Sequence, residues 1–358
     1  MDILKVSGVR FVGVSACIPQ NLVDNRDSCK HLFDNLDTLI KATGIKARCV
    51  ADCGTTALDL EVCAARDLMA KTNAAPNEIG AVICVTFTPE YLMPADAPSA
   101  QKQLNIPNHS LAFDINMACS GYGYGLYVSS MLAKALSKKV LLLNGDVQSV
   151  YVSKYDKATV PVMADIGTAT LIEPVTGGED WDFSFYTDGG GRESLFIPAG
   201  GSKNPVGEED LQYINYDEGS RRRAIDIYMN GFEIFRFVAM DVSRFLLEFM
   251  SICDINSNTI DAFVPHQANI YMIQQLAKKL KIPLEKLWKS GDIYGNPSSA
   301  SIPLTIANCA GEWFALNRNM DGRIMASGFG GGLSISACNI ILPCDAVYSV
   351  TNYKPYTP

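Results

Sequence analysis

Histidine and tryptophan are scarce in this chain, with three of each in 358 residues. So few imidazoles leave few bases that titrate near neutrality, and any one beside a reactive group stands out. Long apolar runs are missing too. The longest, such as KVLLLNG, have the length of a strand and fall far short of a membrane span. The opening MDILKVSGVRFVGVSACIP lacks the basic, apolar, small-residue order of a secretory signal and reads as a first strand. A soluble, cytoplasmic protein is the expectation. Basic runs are also absent. With a net charge of −8 and one short cluster, RRR at 221–223, the chain has nothing to track a nucleic-acid backbone. That cluster reads as a solvated patch, or alternatively as a docking point for a phosphate or an acidic carrier.

Cysteine is not scarce, but its arrangement excludes two common roles. There are 11, an odd number that argues against a complete disulfide framework. No CxxC occurs, and Cys49, Cys53 and Cys63 have no histidine beside them, so a zinc site is not expected. Most lie inside apolar segments, where a free cysteine packs as a small hydrophobe in a reducing compartment.

What is present is an alternation of buried strands and helices. IGAVICVTFTP (79–89), SLAFDINM (110–117) and KKVLLLNGD (138–146) are apolar and strand-length. ALDLEVCAARDLMAKT (57–72) and YVSSMLAKALSK (127–138) have helical spacing. This is an α/β pattern with sheets covered by helices on both faces. The second half faintly repeats the first. IDAFVPHQANI (260–270) echoes IGAVICVTFTP, NPSSASIPLTIANCA (296–310) echoes the helix opened by CSGYGYG, and RIMASGFGGGLS echoes VLLLNGDVQS. A duplicated unit follows, with halves at 1–178 and 179–358. The segment 187–224, rich in Gly, Asp, Glu and Pro, reads as long loops over the sheet, with LFIP as apolar punctuation.

Three places carry chemistry. Cys119 ends the run LAFDINMA and stands where a helix begins; it is either a buried corner residue or a thiolate favoured by the helix end. Gly121, Gly123 and Gly125 behind it read as room for a sharp turn and a ligand. Of the histidines, His31 and His109 read as surface residues. His266 ends the strand-like DAFVP, at the carboxyl end where α/β sheets bind ligands. It is either a catalytic group or a satisfied loop histidine. Asn296, in YGNPSSASIPLTIA, is either an N-cap or an amide that donates to a substrate oxygen. Behind it ASGFGGGLSISA (326–337) is a Gly-rich turn between strands. It has no GK[ST] and no following helix, so it is not a phosphate loop, but it can offer a backbone N–H to an oxyanion.

Together ACSG opening a helix, VPHQAN ending a strand, GNPSSASIP and GFGGG resemble the ketoacyl-acyl-carrier-protein synthase III family of thiolase-like condensing enzymes. TGIKAR (43–48) and MNGFEIFRF (229–237) fall in the order that resemblance requires. It implies a duplicated, layered α-β-α-β-α thiolase-like fold, a homodimer and no cofactor beyond acyl thioesters of acyl carrier protein or coenzyme A. It makes Cys119 the nucleophile that is acylated, with His266 and Asn296 bonding the thioester carbonyl of a malonyl-type extender as carbon dioxide leaves. The backbone N–H groups of Cys119 and Gly331 match an oxyanion hole, Phe329 an aromatic that crowds the carboxylate, and Met93 a position at the acyl pocket. Asn in place of Glu as the third group favours decarboxylation over proton abstraction.

The chain departs from the family where acyl-coenzyme A is held. A common Trp and Arg before TGI read Thr38 and Ala42, another Arg reads Lys157, a basic residue reads Tyr271, and the usual GDGAGA reads ADIGTA (164–169). Loss of a stacking ring and two guanidinium forks shifts the expectation toward a carrier-bound donor. Two alternatives stand beside this reading. One is a relative that passes the acyl group to a different acceptor in a specialised pathway; the other is a non-catalytic partner subunit.

Overall fold

The computed structural model describes residues 1–216, 219–317 and 320–355. Ile79–Val85 is the keystone of the first sheet. All seven of its residues are buried, and it pairs in parallel with Leu111–Ile115 on one side and Lys139–Val147 on the other. A continuous run without polar side chains, four of its seven residues Val or Ile, suits a strand covered on both faces. Asp165–Pro174, Val9–Ile18 and Val347–Asn352 complete six strands in that order. The second sheet has five: Leu4–Val6, Trp181–Thr187, Ser334–Leu342, Gly322–Gly330 and Ala262–Pro265.

Alternation along the strands sorts their side chains into separate cores. Ile83 and Leu142 point between the sheets, whereas Val82, Cys84, Leu141 and Leu143 point outward. The outward set is covered by the helix Ala57–Thr72 through Leu58, Val62 and Leu68. That helix starts at a capping box, Thr56 with Asp59, and stops at Asn73 in the left-handed conformation. Between the sheets lie the helices Gly121–Leu136 and Ser301–Leu316, joined in one core through Tyr122, Leu126, Leu304 and Ile306. The outer face of the second sheet is covered by Ser243–Ile252 and Ile270–Lys279. The result is helix, sheet, helix, sheet, helix, the layered α/β architecture expected. Its sheets exchange terminal strands: Leu4–Val6 joins the sheet otherwise built after residue 180, and Val347–Asn352 joins the earlier one.

Two local readings change. The glycines after Cys119 are helical from Gly121 onward and do not open space for a ligand. A Cβ on Gly121 would lie 2.4 Å from Val85, and one on Gly123 2.4 Å from the Ser336 hydroxyl. They bring the central helix against both sheets. The RRR cluster is only partly solvated: Arg221 is exposed, but the guanidinium groups are engaged within the chain. Arg222 is buried, ion-paired with Asp156 at 3.0 Å and stacked on Tyr216 and Tyr228. Arg223 grips Asp226, and Arg221 lies over Tyr155 and Tyr213.

Candidate active site

Two corners of the same design meet at the centre. Ala118–Ser120 forms one turn of 3-10 helix before Gly121–Leu136, and Ser298–Ala300 forms one before Ser301–Leu316. Each turn opens on a non-glycine residue with positive φ, 42° at Ala118 and 52° at Ser298. Such backbone strain, about 1–3 kcal/mol at each residue, persists where the surroundings over-determine it and clusters at reactive sites. The faint repeat seen in the sequence is this pair of corners. It sets Cys119 on one and Ser298 on the other, with the Cys119 sulfur 3.8 Å from the Ser298 hydroxyl.

Around Ser298 the remaining groups assemble. Asn296 Oδ1 accepts from the Ser298 N–H at 2.9 Å, which fixes the amide plane and leaves Nδ2 without a hydrogen-bond partner among the described residues. Asn296 is not the N-cap, a place taken by Pro297; its oxygen closes an Asx turn onto Ser298, and its nitrogen is free to donate. His266 is buried, its Nδ1 2.7 Å from the Ser301 hydroxyl and its ring edge-on to Phe329 at 5.4 Å. Burial, partly offset by the Ser298 backbone, pushes His266 down to about 3, so the imidazole is neutral. His31 and His109 are exposed and lie outside this group.

Cys119 is not the ready thiolate that its place at a helix end suggested. It is 9% exposed, and burial pushes its thiol up to about 12, aided by the charge of Asp146 and opposed by the Ser298 hydroxyl. Raising a thiol from 9 to about 12 corresponds to about 4 kcal/mol. A helix terminus supplies at most about 2 kcal/mol. Desolvation wins, and the resting sulfur is protonated. Asp146 was missed in the sequence because KKVLLLNGD reads as a plain buried strand. Its Oδ1 accepts from the Phe87 N–H at 2.8 Å and the Thr86 hydroxyl at 3.0 Å, while Oδ2 has no partner among the described residues. Burial pushes this carboxyl up to about 7, against the pull of those donors and of Ser298.

The Gly-rich turn closes the far side of the sulfur. A Cβ on Gly330 would lie 2.7 Å from Cys119 Cβ and 3.2 Å from its sulfur, so any side chain here would have to push Cys119 or the strand aside. Next to it opens a cavity of about 430 Å³, lined by Cys119 and Gly331 and walled by Phe87, Met163, Leu195, Ile197 and Ile227 among others. Leu195 and Ile197 belong to LFIP, so the long loop supplies a wall of the cavity. His266, Asn296 and Phe329 are not among the residues that line this space. Met93 does not line it either. In this chain it is 86% exposed, at the tip Tyr91-Leu92-Met93.

The chain as a whole has relatives among known proteins. Family models described as 3-oxoacyl-[acyl-carrier-protein (ACP)] synthase III match residues 113–189, which hold Cys119, and, for the C-terminal part, residues 250–341, which hold His266 and Asn296. A beta-ketoacyl-[acyl-carrier-protein] synthase III from Symbiobacterium thermophilum is 31% identical over 335 residues, 92% of this chain and 97% of that protein. The chain belongs to the 3-oxoacyl-[acyl-carrier-protein] synthase III family. A synthase III from Natranaerobius thermophilus is 30% identical over 94% of this chain and 99% of its own. The crystal structure of a 3-oxoacyl-(acyl-carrier protein) synthase from Burkholderia xenovorans superposes with a TM-score of 0.90 at 31% identity, covering 98% of this chain and 99% of that one. As a synthase III family member the protein is an acyltransferase of the condensing type.

Proposed function

We propose that Cys119 takes an acyl group from a thioester and that the enolate of a malonyl-type thioester then attacks it. In the first step the sulfur–carbonyl bond forms as the donor's thioester bond breaks, and the thiol proton leaves with the donor's thiol. In the second, carbon dioxide departs, the new carbon–carbon bond forms as the acyl–sulfur bond breaks, and Cys119 leaves as a thiolate that takes up one proton from solvent to restore the resting thiol. The observation that carries this reading is the grouping of Cys119, neutral His266 and Asn296 around Ser298. Decarboxylation places negative charge on a thioester oxygen, and two neutral donors stabilise it without opposing it. The backbone N–H groups of Cys119 and Gly331 serve the oxyanion of acyl transfer, and Phe329, edge-on to His266, crowds the departing carboxylate. Persistence of all three polar groups speaks against a non-catalytic partner subunit. The chemistry draws on acyl thioesters, side chains and backbone N–H groups.

Thr38, Ala42 and Tyr271 are exposed on two helices tied by the bond from Asn269 Nδ2 to the Ala42 carbonyl. With no indole at 38 and no guanidinium at 42, this surface favours a donor carried on acyl carrier protein over coenzyme A. A homodimer is supported by two exposed features: the open edge of the first sheet at Leu111–Ile115, and the apolar tip Tyr91–Met93. In such a dimer Met93 reaches an acyl cavity only by entering that of the other copy. No described helix is long and apolar enough to cross a membrane, and a cytoplasmic enzyme suits carrier-bound substrates.

The test is intact-mass measurement after incubation with acyl-carrier-protein and acyl-coenzyme A donors, beside Cys119→Ala. A mass gain lost in the variant, followed by its discharge and release of carbon dioxide with a malonyl thioester, is expected. Absence of any adduct overturns the reading.

A further inference from the structure

Gln148 begins the short 3-10 turn after the strand Lys139–Val147, is 2% exposed, and lines the cavity beside Cys119. Its Nε2 donates twice, to the Ala164 carbonyl at 2.8 Å and to the Asn296 carbonyl at 2.7 Å. Both partners are main-chain oxygens, which only accept. The amide therefore has one possible orientation, because flipping it would set oxygen against oxygen at those distances. With both hydrogens used, Oε1 has no partner among the described residues. It is also absent from the fully enclosed polar atoms that lack one, so it reaches the cavity.

This is a fixed acceptor in a mostly apolar space. The other polar linings differ: the Thr187 hydroxyl pairs with Tyr124, the Ser334 hydroxyl donates to Gly331, and Asn116 is exposed. A saturated hydrocarbon filling the cavity would strip solvent from Gln148 Oε1 and return no donor. Leaving a buried acceptor unmet weakens binding by about ten- to a hundredfold. A chain that carries a hydroxyl avoids this loss, and sites built around a hydrogen bond reject analogues lacking it more strongly than apolar sites reject a missing methylene.

We propose that Gln148 selects an acyl group bearing a hydrogen-bond donor, such as a hydroxyl on the chain, over the plain alkyl group of the same length. The inference rests on acylation of Cys119 in this cavity. The acceptor is Oε1, and Nε2 holds it in place through the backbone that also carries Asn296.

The measurement is the rate of Cys119 acylation by butyryl, 3-hydroxybutyryl and 4-hydroxybutyryl thioesters of one carrier, read by intact mass. At least one hydroxylated donor is expected to load tenfold or more faster than butyryl in the unaltered protein. In Gln148→Met, which keeps the side-chain length without the acceptor, that ratio should fall to near one. General damage from loss of the Nε2 bonds slows all donors together and leaves the ratio in place. Asn296 keeps a second partner, the Ala164 N–H at 3.0 Å. Equal loading of all three by the unaltered protein, or an unchanged ratio in Gln148→Met, overturns the selection by Gln148 while leaving acylation standing. No adduct from any donor removes the acyl-enzyme reading itself.

Discussion

The Ser298 hydroxyl stands 3.8 Å from the Cys119 sulfur and also faces Asp146, lowering the proton affinity of both. The three form a row in which Ser298 eases ionisation of the thiol and Asp146 opposes it. Two substitutions should therefore move the sulfur in opposite directions. Ser298→Ala removes the easing group, so alkylation at Cys119 by iodoacetamide should shift to higher pH and slow about tenfold at a fixed pH, the worth of one hydrogen bond to a charged group. Asp146→Asn removes the opposing charge and should shift the same profile to lower pH. Peptide-level mass spectrometry separates Cys119 from the other cysteines. Movement of both variants in one direction would show that the row does not act through charge.

The acid stability of the protein should carry the signature of His266. Its folded value of about 3 lies below the ordinary 6.5, so between the two the unfolded chain binds a proton that the folded chain refuses. The stability this neutral group contributes is present above pH 6.5 and lost as pH falls, by about 5 kcal/mol at pH 3 if it acts alone. Asp146 has the reverse sign. Raised to about 7 from 3.8, it gains a proton on folding and weakens the fold as pH rises through that interval. Urea midpoints at pH 4, 5.5 and 7 should thus fall less steeply toward acid in His266→Gln than in the unaltered protein, and more steeply in Asp146→Asn. Parallel curves for all three would exclude both assignments.

What the sequence could reveal depended on how far apart the interacting residues lie. Runs such as IGAVICV and the spacing of 57–72 are local signals, and the layers followed from them. Cys119, His266 and Asn296 were legible because each sits at an interruption of a periodic segment. Ser298 and Asp146 were not, since a serine inside SSASIP and an aspartate ending an apolar strand become special only when residues 146, 119 and 298 meet. The state of the thiol was misjudged for a related reason. A helix end is visible in sequence, whereas the desolvation that outweighs it is a property of the packed site. The glycines of SGYGYG and the arginines of RRR misled because close packing and internal ion pairs look, in one dimension, like flexibility and free charge.

The exposed tip Tyr91-Leu92-Met93 gives the homodimer a direct test. Leu92 and Met93 are 95% and 86% exposed, and neither is held by a contact within its own chain that a charge would break. Met93→Asp should leave the fold intact by circular dichroism. If the tip enters a second copy, light scattering should report a shift from twice the chain mass toward once. Retention of the dimer with Met93→Asp would place the interface elsewhere, with the open strand edge at Leu111–Ile115 next to be examined.

Gly330 is the sharpest single-atom test of the site. It lies on the strand Gly322–Gly330, extended rather than left-handed, so a Cβ there meets no backbone strain of its own. What it meets is Cys119, with Cβ at 2.7 Å and the sulfur at 3.2 Å, in a pocket where the neighbouring Gly328 is equally confined by the Cys119 carbonyl and Ser120. The strand cannot retreat far, because Gly330 pairs with Ser334 and Phe329 is wedged beside His266. Crowding of this kind costs about 1–3 kcal/mol, which a domain of this size tolerates. Gly330→Ala should therefore fold, with a melting temperature lower by a few degrees, yet be acylated at least about a hundredfold more slowly, since the methyl displaces the sulfur from its line to the cavity. Rapid acylation of a folded Gly330→Ala would mean that the thioester approaches the sulfur from another side than the cavity next to Gly331.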